Sequence, residues 1–261
     1  VPTDRGREFL QIAKKAVRQY QALEHFCARE EQGSLSLQVC VPKTGYIHTA
    51  FSSFLARHTK GRTLSIDYRE SCAMDAIRDV CLRSASLAII RFPERCERPL
   101  LSLLRRKELS GEIISRFEPL AVMSERHPLA ATSVLTADML EQSVEVICED
   151  TSLTDYLNEP GEPEHFPSVI RLHEGSGLFG LLSHLTSAFS FTPPLPESIL
   201  KDYHLVQKKC QGQNAHGGQD SPGLLCPPGR MIDLLIYPED ARLTRTENAF
   251  LEAVRQAAPA M

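Results

Sequence analysis

The chain has 261 residues, of which 24% are charged and 42% hydrophobic, and its formal net charge is −4. This length is enough to bury the core of one large domain or of two smaller ones, and the composition is that of an ordinary globular protein. The negative charge argues against a chain whose own surface binds DNA or an anionic membrane. Since the sequence has neither an export signal nor an apolar run of the ~18 residues that a membrane span needs, we expect a cytoplasmic protein.

A long amphipathic helix is predicted at residues 3–32, before any other element. Its apolar positions are spaced 4, 3, 4, 3 and 4 residues apart, which is typical of the seam of a coiled coil. A helix of ~28 residues would be about 42 Å long, longer than a small domain is wide. We therefore predict that it pairs with a second copy of itself; packing on its own domain is the alternative. The predicted seam consists of Phe9, Ala13, Ala16, Tyr20, Leu23 and Cys27.

The rest of the chain alternates between strand and helix patterns in two successive blocks. In the first block, strands are predicted at 34–42, 63–70 and 86–93, and helices at 48–58 and 71–84, the latter capped by Ser71. In the second block, strands are predicted at 143–148 and 168–173, and helices at 136–142 and 176–187. Such alternation predicts two α/β lobes with right-handed crossovers. The segments 117–124 and 231–238 are placed to cross between the lobes, and a helix at 244–258 closes the chain.

Two lobes joined in this way form a ligand cleft at the ends of their strands. Three turns from strand to helix are predicted to face it, at 42–45, 70–72 and 175–180. Each helix N-terminus offers free N–H donors and about half a positive charge, so several of them together favour a small anion. Lys43 and Arg91 would add full charges, although Lys43 has the alternative of a solvated surface lysine and Arg91 that of a structural ion pair.

The sequence GSGLFG at 175–180 matches the glycine fingerprint of dinucleotide sites, with Glu197 about 20 residues further on. However, Glu197 follows a proline-rich stretch rather than a second parallel strand, and the preceding strand carries Arg171 and His173 instead of a wholly apolar run. We therefore interpret GSGLFG as a turn whose N–H groups face the cleft. No cofactor is predicted.

Other chemistry finds little support in the sequence. The eight cysteines form no CxxC pair, which favours reduced thiols over a disulfide framework. No metal site is predicted, because the separations of 6, 6 and 10 among His204, Cys210, His216 and Cys226 match no zinc pattern. There is no G-x-S-x-G and the nine histidines are dispersed, so we expect no catalytic site, and His127 in HPLA is predicted to form local hydrogen bonds at a turn.

Several stretches, in order and spacing, resemble the LysR-type transcriptional regulators. The resemblance begins with TDRGREFL (3–10), which is similar to the end of the family's winged helix-turn-helix, and the following helix resembles its dimerising linker. HPLA (127–130) is the most specific single piece. The other similar stretches are GSLSLQVCVP (33–42), FSSFLARHTKGRTLSIDYRE (51–70), LAIIRFP (87–93), FEPLAVMSERHPLA (117–130) and NAFLEAVRQ (248–256).

The resemblance implies a fold of two Rossmann-like α/β subdomains of the type 2 periplasmic-binding-protein kind, preceded by the linker helix. The implied boundaries are 1–33 for the linker, 34–118 with 239–261 for subdomain I, and 119–238 for subdomain II. It further implies a piece of a bacterial regulator that lacks most of the winged helix-turn-helix, so that DNA is bound only through that missing domain. The partners implied are a small-molecule effector and a second copy of the chain, in a dimer or a tetramer.

Position by position, the resemblance also implies which residues line the effector cleft. They are Lys43, Thr44, Gly45, Ser71, Cys72, Arg91, Glu174, Gly175, Ser176, Thr192 and Pro193. Glu174 would repel a purely anionic effector unless Arg91 or Lys43 offsets it, so a zwitterionic effector also fits. Two alternatives remain: a solute-binding protein of a transporter, which has the same fold but no need of helix 3–32, and a nucleotide-dependent enzyme that uses GSGLFG.

Overall fold

The computed structural model describes residues 34–43, 45–148, 150–157, 166–211 and 229–259, together with Thr3, Arg5, Gly6, Phe9, Ala13 and Tyr20. Of the predicted dimer seam, Phe9, Ala13 and Tyr20 are helical, and Phe9 and Tyr20 are 69% and 63% exposed. Ala16, Leu23 and Cys27 lie outside the described residues. Pairing through this helix therefore stays a prediction.

The first lobe is built on a five-stranded sheet in which parallel and antiparallel strands meet. Its strands are β1 (Ser34–Val41), β2 (Thr63–Glu70), β3 (Leu87–Pro93), β4 (Leu109–Phe117) and β12 (Met231–Pro238), in the order β2-β1-β3-β12-β4. Strand β1 runs parallel to β2 and β3, whereas β12 runs antiparallel to β3 and β4. The parallel half is the part predicted from the alternation of strands and helices.

Four helices cover the two faces of this sheet: α1 (Tyr46–His58), α2 (Ala73–Cys81), α3 (Glu97–Arg106) and α8 (Arg245–Ala257). Alternate residues of a strand point to opposite faces, and Leu35, Leu37 and Val39 of β1 accordingly pack into one core with α1 and α8. The opposite face buries Ile90 of β3 against α2 and α3. Both faces are thus closed to water, as mostly parallel sheets require.

The second lobe is a smaller sheet with shorter helices. Its strands are β5 (Leu120–Ser124), β7 (Val144–Ile147), β8 (Val169–Arg171), β9 (Ala188–Thr192) and β10 (Leu205–Lys208), in the order β10-β5-β9-β7-β8. Its helices are α4 (Ala137–Leu140), α5 (Ser152–Leu157), α6 (Leu178–His184) and α7 (Glu197–Asp202). A separate parallel pair joins β6 (Leu135–Thr136) to β11 (Cys210–Gln211). Among the described residues, no helix is both long and apolar enough to cross a membrane.

The chain crosses between the lobes at two points. It leaves the first sheet after β4, passes through Glu118 and Pro119, and enters the second sheet at Leu120. It returns before Met231, because β12 pairs with β3 and β4 and belongs wholly to the first sheet. The predicted boundary at residue 238 is therefore wrong, and segment 231–238 does not itself cross between the lobes.

Several elements differ from the predictions. Helix α2 begins at Ala73 with Cys72 in the N-cap position, so Ser71 is not its cap. Helix α3 and strand β4 were not predicted, because the many charged residues of this region obscure the helical spacing of its apolar residues. Leu100, Leu103 and Leu104 of α3 are all buried. Helix α5 was also not predicted, because its six residues are too few for a helical period to emerge. Most of the predicted polar loop at 211–229 lies outside the described residues.

A cleft between the two lobes as candidate functional site

A cavity of about 140 Å³ lies between the lobes, against the two crossings of the chain. For scale, an apolar cavity of about 150 Å³ in another protein holds a benzene molecule. Most of its walls are apolar, with a few polar and charged groups among them. The lining residues are Pro42, Lys43, Ser71, Ala73, Ile90, Arg91, Pro93, Arg95, Phe117, Pro119, Cys148, Asp150, Thr151, Thr154, Phe191, Thr192, Pro193, Gly229 and Met231.

The walls come from the carboxyl ends of strands in both lobes. In the first lobe, Lys43 follows β1, Ser71 follows β2, and Arg91 lies near the end of β3. In the second lobe, Asp150 follows β7 and Thr192 ends β9. Open α/β sheets place ligands outside these strand ends, and two such sheets here face one cavity. A molecule bound in it would contact both lobes at once.

Arg91 is a member of a buried ion pair inside the first lobe. Its Nε donates to Asp233 Oδ1 at 2.7 Å and its Nη2 to Asp233 Oδ2 at 2.8 Å, a bidentate pair of neighbouring strands. The side chains are 12% and 0% exposed. Burial, followed by the negative charge of Asp233, raises the pKa of the adjacent Tyr46 phenol, so Tyr46 stays protonated. The alternative of a structural ion pair is therefore what the structure shows for Arg91.

The guanidinium of Arg91 nevertheless reaches the cavity wall, 5.2 Å from the centre of the Phe117 ring. Because Asp233 offsets its charge, the cavity's further positive charge comes from Lys43 and Arg95, which also line it. The charge of Lys43 also acts on the nearby Glu70 carboxyl group. Asp150 is the carboxylate among the described lining residues. The cavity thus has cations and an anion as well as apolar walls.

The N-terminus of α2 faces this cavity but is already bound by the second lobe. The N–H of Ala73 donates to Asp150 Oδ2, and the N–H of Met74 donates to Ser152 Oγ at 3.2 Å. The other carboxylate oxygen, Asp150 Oδ1, accepts from the N–H of Ser152 at 3.0 Å at the start of α5. Asp150 therefore contacts the N-termini of two helices, one in each lobe.

The GSGLFG turn packs against the first lobe. A Cβ added to Gly175 would lie 1.6 Å from the carbonyl oxygen of Lys43, and the Gly175 N–H donates to Glu70 Oε2 at 3.3 Å. The absence of a side chain at this position is thus required by the backbone of the first lobe. Glu197 begins α7, not the end of a neighbouring parallel strand, so the geometry does not support the dinucleotide interpretation.

A second glycine, Gly45, also lies where the two lobes approach each other. It precedes α1 with φ +121°, a conformation that favours glycine. A Cβ here would lie 3.2 Å from Pro193 Cγ and 3.3 Å from Arg91 Nη2. Neither Gly45 nor Gly175 lines the cavity, but the absence of a side chain at each lets the two lobes approach each other beside it.

Burial raises the pKa of two groups beside the cavity, Glu70 and Cys72. Burial raises the pKa of Glu70, and this effect outweighs the hydrogen bond from the Gly175 N–H, which lowers it. Burial and then a hydrogen bond to Asp75 Oδ2 at 3.1 Å raise the pKa of the Cys72 thiol. A raised pKa favours the thiol over the reactive thiolate at neutral pH.

The structure brings part of the predicted site together. The residues that line the cavity are Lys43, Ser71, Arg91, Thr192 and Pro193; Gly45 and Gly175 pack just behind it; Cys72, Glu174 and Ser176 do not line it. Thr44 lies outside the described residues. His127 makes local hydrogen bonds, as predicted, since its Nδ1 accepts from the N–H of Leu129 at 3.0 Å.

Sequence reasoning missed Arg95 and the segment Asp150–Thr154. The signal for the segment was available, since β7 was predicted to end at 148 and the carboxyl ends of strands face the cleft. The same signal was available for Arg95, which lies in the short 3₁₀ turn Glu94–Cys96 directly after the carboxyl end of β3.

Comparison with known proteins identifies the fold. Neither the protein-family models nor the curated proteins contain a match to this chain. Among solved structures, the reduced form of the OxyR regulatory domain from Pseudomonas aeruginosa is 13% identical with a TM-score of 0.55, covering 88% of this chain and 99% of that one. A full-length OxyR variant from the same organism is 12% identical with a TM-score of 0.54, covering 97% of this chain and 80% of that one.

The effector-binding domain of QuiR in complex with shikimate is 14% identical with a TM-score of 0.50, covering 85% of this chain and 96% of that one. The chain therefore has the fold of the effector-binding domain of LysR-type regulators, which is the type 2 periplasmic-binding-protein-like fold predicted from the sequence. Sequence identities of 12–14% support the shared fold. The resemblance to the family found in the sequence agrees with this fold.

Proposed function

We propose that the chain is the effector-sensing and dimerising part of a bacterial, cytoplasmic LysR-type transcriptional regulator. The observation that carries the proposal is the cavity whose walls come from the strand ends of both lobes. The QuiR effector-binding domain, which shares the fold, was solved with a small molecule, shikimate. The solved structures of similar fold described above are regulators rather than enzymes or transport proteins, which supports a regulatory role over the alternatives.

A ligand between two lobes acts by preferring one arrangement of them. It shifts the equilibrium only as far as its affinities for the two arrangements differ. Because the cavity walls belong to both sheets, closing or opening the cleft changes the contacts of the ligand directly. In the intact regulator, the altered lobe geometry would change how the DNA-binding domains are presented.

The proposed ligand is small and anionic or zwitterionic. Lys43 and Arg95 would attract its anionic group. The Thr192 hydroxyl donates to the Pro193 carbonyl at 3.0 Å, so it could accept a hydrogen bond from a donor of the ligand. Apolar walls that include Ile90, Phe117 and Phe191 would cover its carbon skeleton. A zwitterion would also satisfy Asp150, the carboxylate of the same cavity.

A thermal-shift screen with small organic carboxylates, hydroxy acids and amino acids tests this proposal. A compound that binds the native cleft raises the melting temperature in proportion to the logarithm of its concentration. The response should be weakened by Lys43→Ala or Arg95→Ala and unchanged by Lys60→Ala, whose side chain lies in an exposed turn away from the cavity. A panel without any stabilising compound, or one whose hits ignore Lys43 and Arg95, would contradict the proposed site.

The proposed dimer uses the helix at residues 3–32, and its proposed DNA partner is reached only through a winged helix-turn-helix that precedes this helix. Analytical ultracentrifugation of the chain and of a variant without residues 1–33 tests the dimer. The chain is expected to sediment as a dimer or tetramer, and the truncated variant as a smaller species. A monomeric full chain at high concentration would refute this part while leaving the ligand site standing.

A further inference from the structure

The N-terminus of α2 is a position in the cleft where an anionic group could accept hydrogen bonds from backbone N–H groups. The helix has nine residues, and the side chain of its N-cap residue Cys72 makes no capping hydrogen bond. The Cys72 thiol instead donates to the Asp75 carboxylate. The unpaired N–H groups and partial positive charge of such a terminus attract an anion. Ala73, which carries one of these N–H groups, lines the cavity.

A carboxylate of the protein itself already occupies this position. Asp150 accepts the N–H of Ala73, and Ser152 accepts the N–H of Met74, although these partners lie 77 and 78 residues apart in sequence. Both acceptors belong to the second lobe. The first turn of α2 is therefore capped across the cleft.

Packing reinforces this contact. Leu153, the residue after Ser152, is 1% exposed and belongs to the core cluster of the first lobe, beside Ala73, Ala76 and Ile77 of α2. Leu157, at the end of α5, packs against the same cluster. The segment 150–157 of the second lobe is thus packed against α2 of the first lobe.

We propose that Asp150 is an internal anionic ligand of the cleft, which holds the two lobes together when no molecule is bound and prevents an effector from placing its own anion at the N-terminus of α2. This inference deepens the proposed function, on which it rests for the meaning of the cleft. It makes Asp150 a residue that determines specificity: an effector's anion is directed toward Lys43 and Arg95, on the part of the wall that Asp150 does not fill.

The test measures hydrogen exchange in the first turn of α2 and needs no effector. Truncation by Asp150→Ala removes the carboxylate, and exchange at the amides of Ala73 and Met74 should become roughly 5- to 30-fold faster, the range that corresponds to loss of a helix cap. Asp155→Ala is the matched control, because Asp155 lies on the same helix α5, is exposed, and bonds to Thr151 rather than to α2. It should leave exchange in α2 unchanged.

Acetate then distinguishes an anion position from simple packing. Added at tens of millimolar against equal chloride, acetate should slow exchange in the α2 turn of Asp150→Ala, because it can replace the missing carboxylate. It should have no such effect on the wild-type chain or on Asp155→Ala. The result that overturns the proposal is unchanged exchange in Asp150→Ala, or an acetate effect that is absent there or equal in all three proteins.

If Asp150→Ala does not fold, Asp150→Asn replaces it, since it keeps the size and one acceptor oxygen but loses the charge. Its α2 turn should exchange faster than that of wild type, and equal rates would overturn the proposal. This outcome is separable from that of the ligand screen. If the chain binds small carboxylates but Asp150→Ala has no effect on exchange, the proposed function stands and the role of Asp150 is refuted. If Asp150→Ala has the expected effect but no ligand binds, the role of Asp150 stands and the proposed function is refuted.

Discussion

Two helices of the first lobe, α8 and α2, begin in different ways. Helix α8 has a complete capping box, in which Thr244 Oγ1 accepts from the Glu247 N–H at 3.2 Å and Glu247 Oε2 accepts from the Thr244 N–H at 2.6 Å. Helix α2 has no cap of its own and takes its acceptors from the second lobe. The first turn of α8 is thus independent of the arrangement of the lobes, whereas that of α2 depends on it.

The difference separates contacts that build a lobe from contacts that hold the lobes together. The Arg91–Asp233 pair and the α8 capping box are of the first kind, because all four residues lie in the first lobe. The Asp150–Ala73 and Gly175–Lys43 contacts are of the second kind. Breaking the first kind should destabilise folding, and breaking the second kind should mainly open the cleft.

The largest effect is expected from Asp233→Asn, which leaves the charge of Arg91 buried without its partner. Removing one member of a buried pair costs about 3–5 kcal/mol of unfolding free energy. Urea unfolding measures the loss. Asp240→Asn is the control, since Asp240 pairs with Arg83 at the surface and its side chain is 77% exposed, so its loss should cost about 0–1 kcal/mol. Equal losses would show that the Arg91–Asp233 pair does not support the first lobe.

Gly175→Ala should have the next largest effect. The new Cβ would meet the carbonyl of Lys43 at 1.6 Å, so the turn must move away from the first lobe. Overpacking of this kind costs about 1–3 kcal/mol, and here we expect it to appear as faster hydrogen exchange in the α2 turn.

Gly177→Ala provides a control two residues away, because a Cβ there has no heavy atom within 4 Å. Its exchange pattern and melting temperature should stay close to those of the wild type. If the two alanines behave alike, close approach at Gly175 does not hold the lobes together.

Thr244→Ala tests the comparison at helix α8, whose cap lies within the first lobe. Loss of the N-cap should cost about 1 kcal/mol, within the range of 0.5–2 kcal/mol for such changes. Faster exchange should be confined to the first turn of α8, and Thr244→Ser should restore protection. Equal acceleration in α2 would mean that the two helix starts are not independent.

The smallest effect concerns His127, a local feature of the second lobe that is 4% exposed. Burial lowers its pKa below the ordinary value of 6.5. As the pH falls below about 6.5, the unfolded chain binds a proton that the folded chain does not, so stability is present above this pH and is lost toward the folded pKa. The loss should stay below about 1 kcal/mol at pH 6.

His127→Gln should remove this part of the pH dependence, as measured by urea unfolding between about pH 8 and about pH 5.5. His184→Gln is a suitable control, since it makes the same change at an exposed histidine on α6. An unchanged slope in His127→Gln would refute the assignment.

Particular residues show how far sequence reasoning reached. Strands were predicted at 34–42 and 86–93, and both are confirmed as β1 and β3. The prediction that Ser71 caps α2 was wrong. Capping propensity identifies suitable residue types near a helix start, but the acceptors here are Asp150 and Ser152, which reach α2 through tertiary contacts. Strand β12 was assigned to the second lobe, but it belongs to the first. Its apolar sequence suits a buried strand in either lobe, so the sequence does not distinguish between them.

The sequence by itself determined the two-lobed α/β architecture, the cleft at the strand ends, and two residues of its wall, Lys43 and Arg91. These follow from periodicity and from strand-to-helix turns, which are local properties of the chain. Only the tertiary structure decided that Arg91 is paired with Asp233 and that Asp150 caps α2. Both contacts join residues more than 70 positions apart, so they depend on how the strands pair and how the lobes meet, and no local pattern records that.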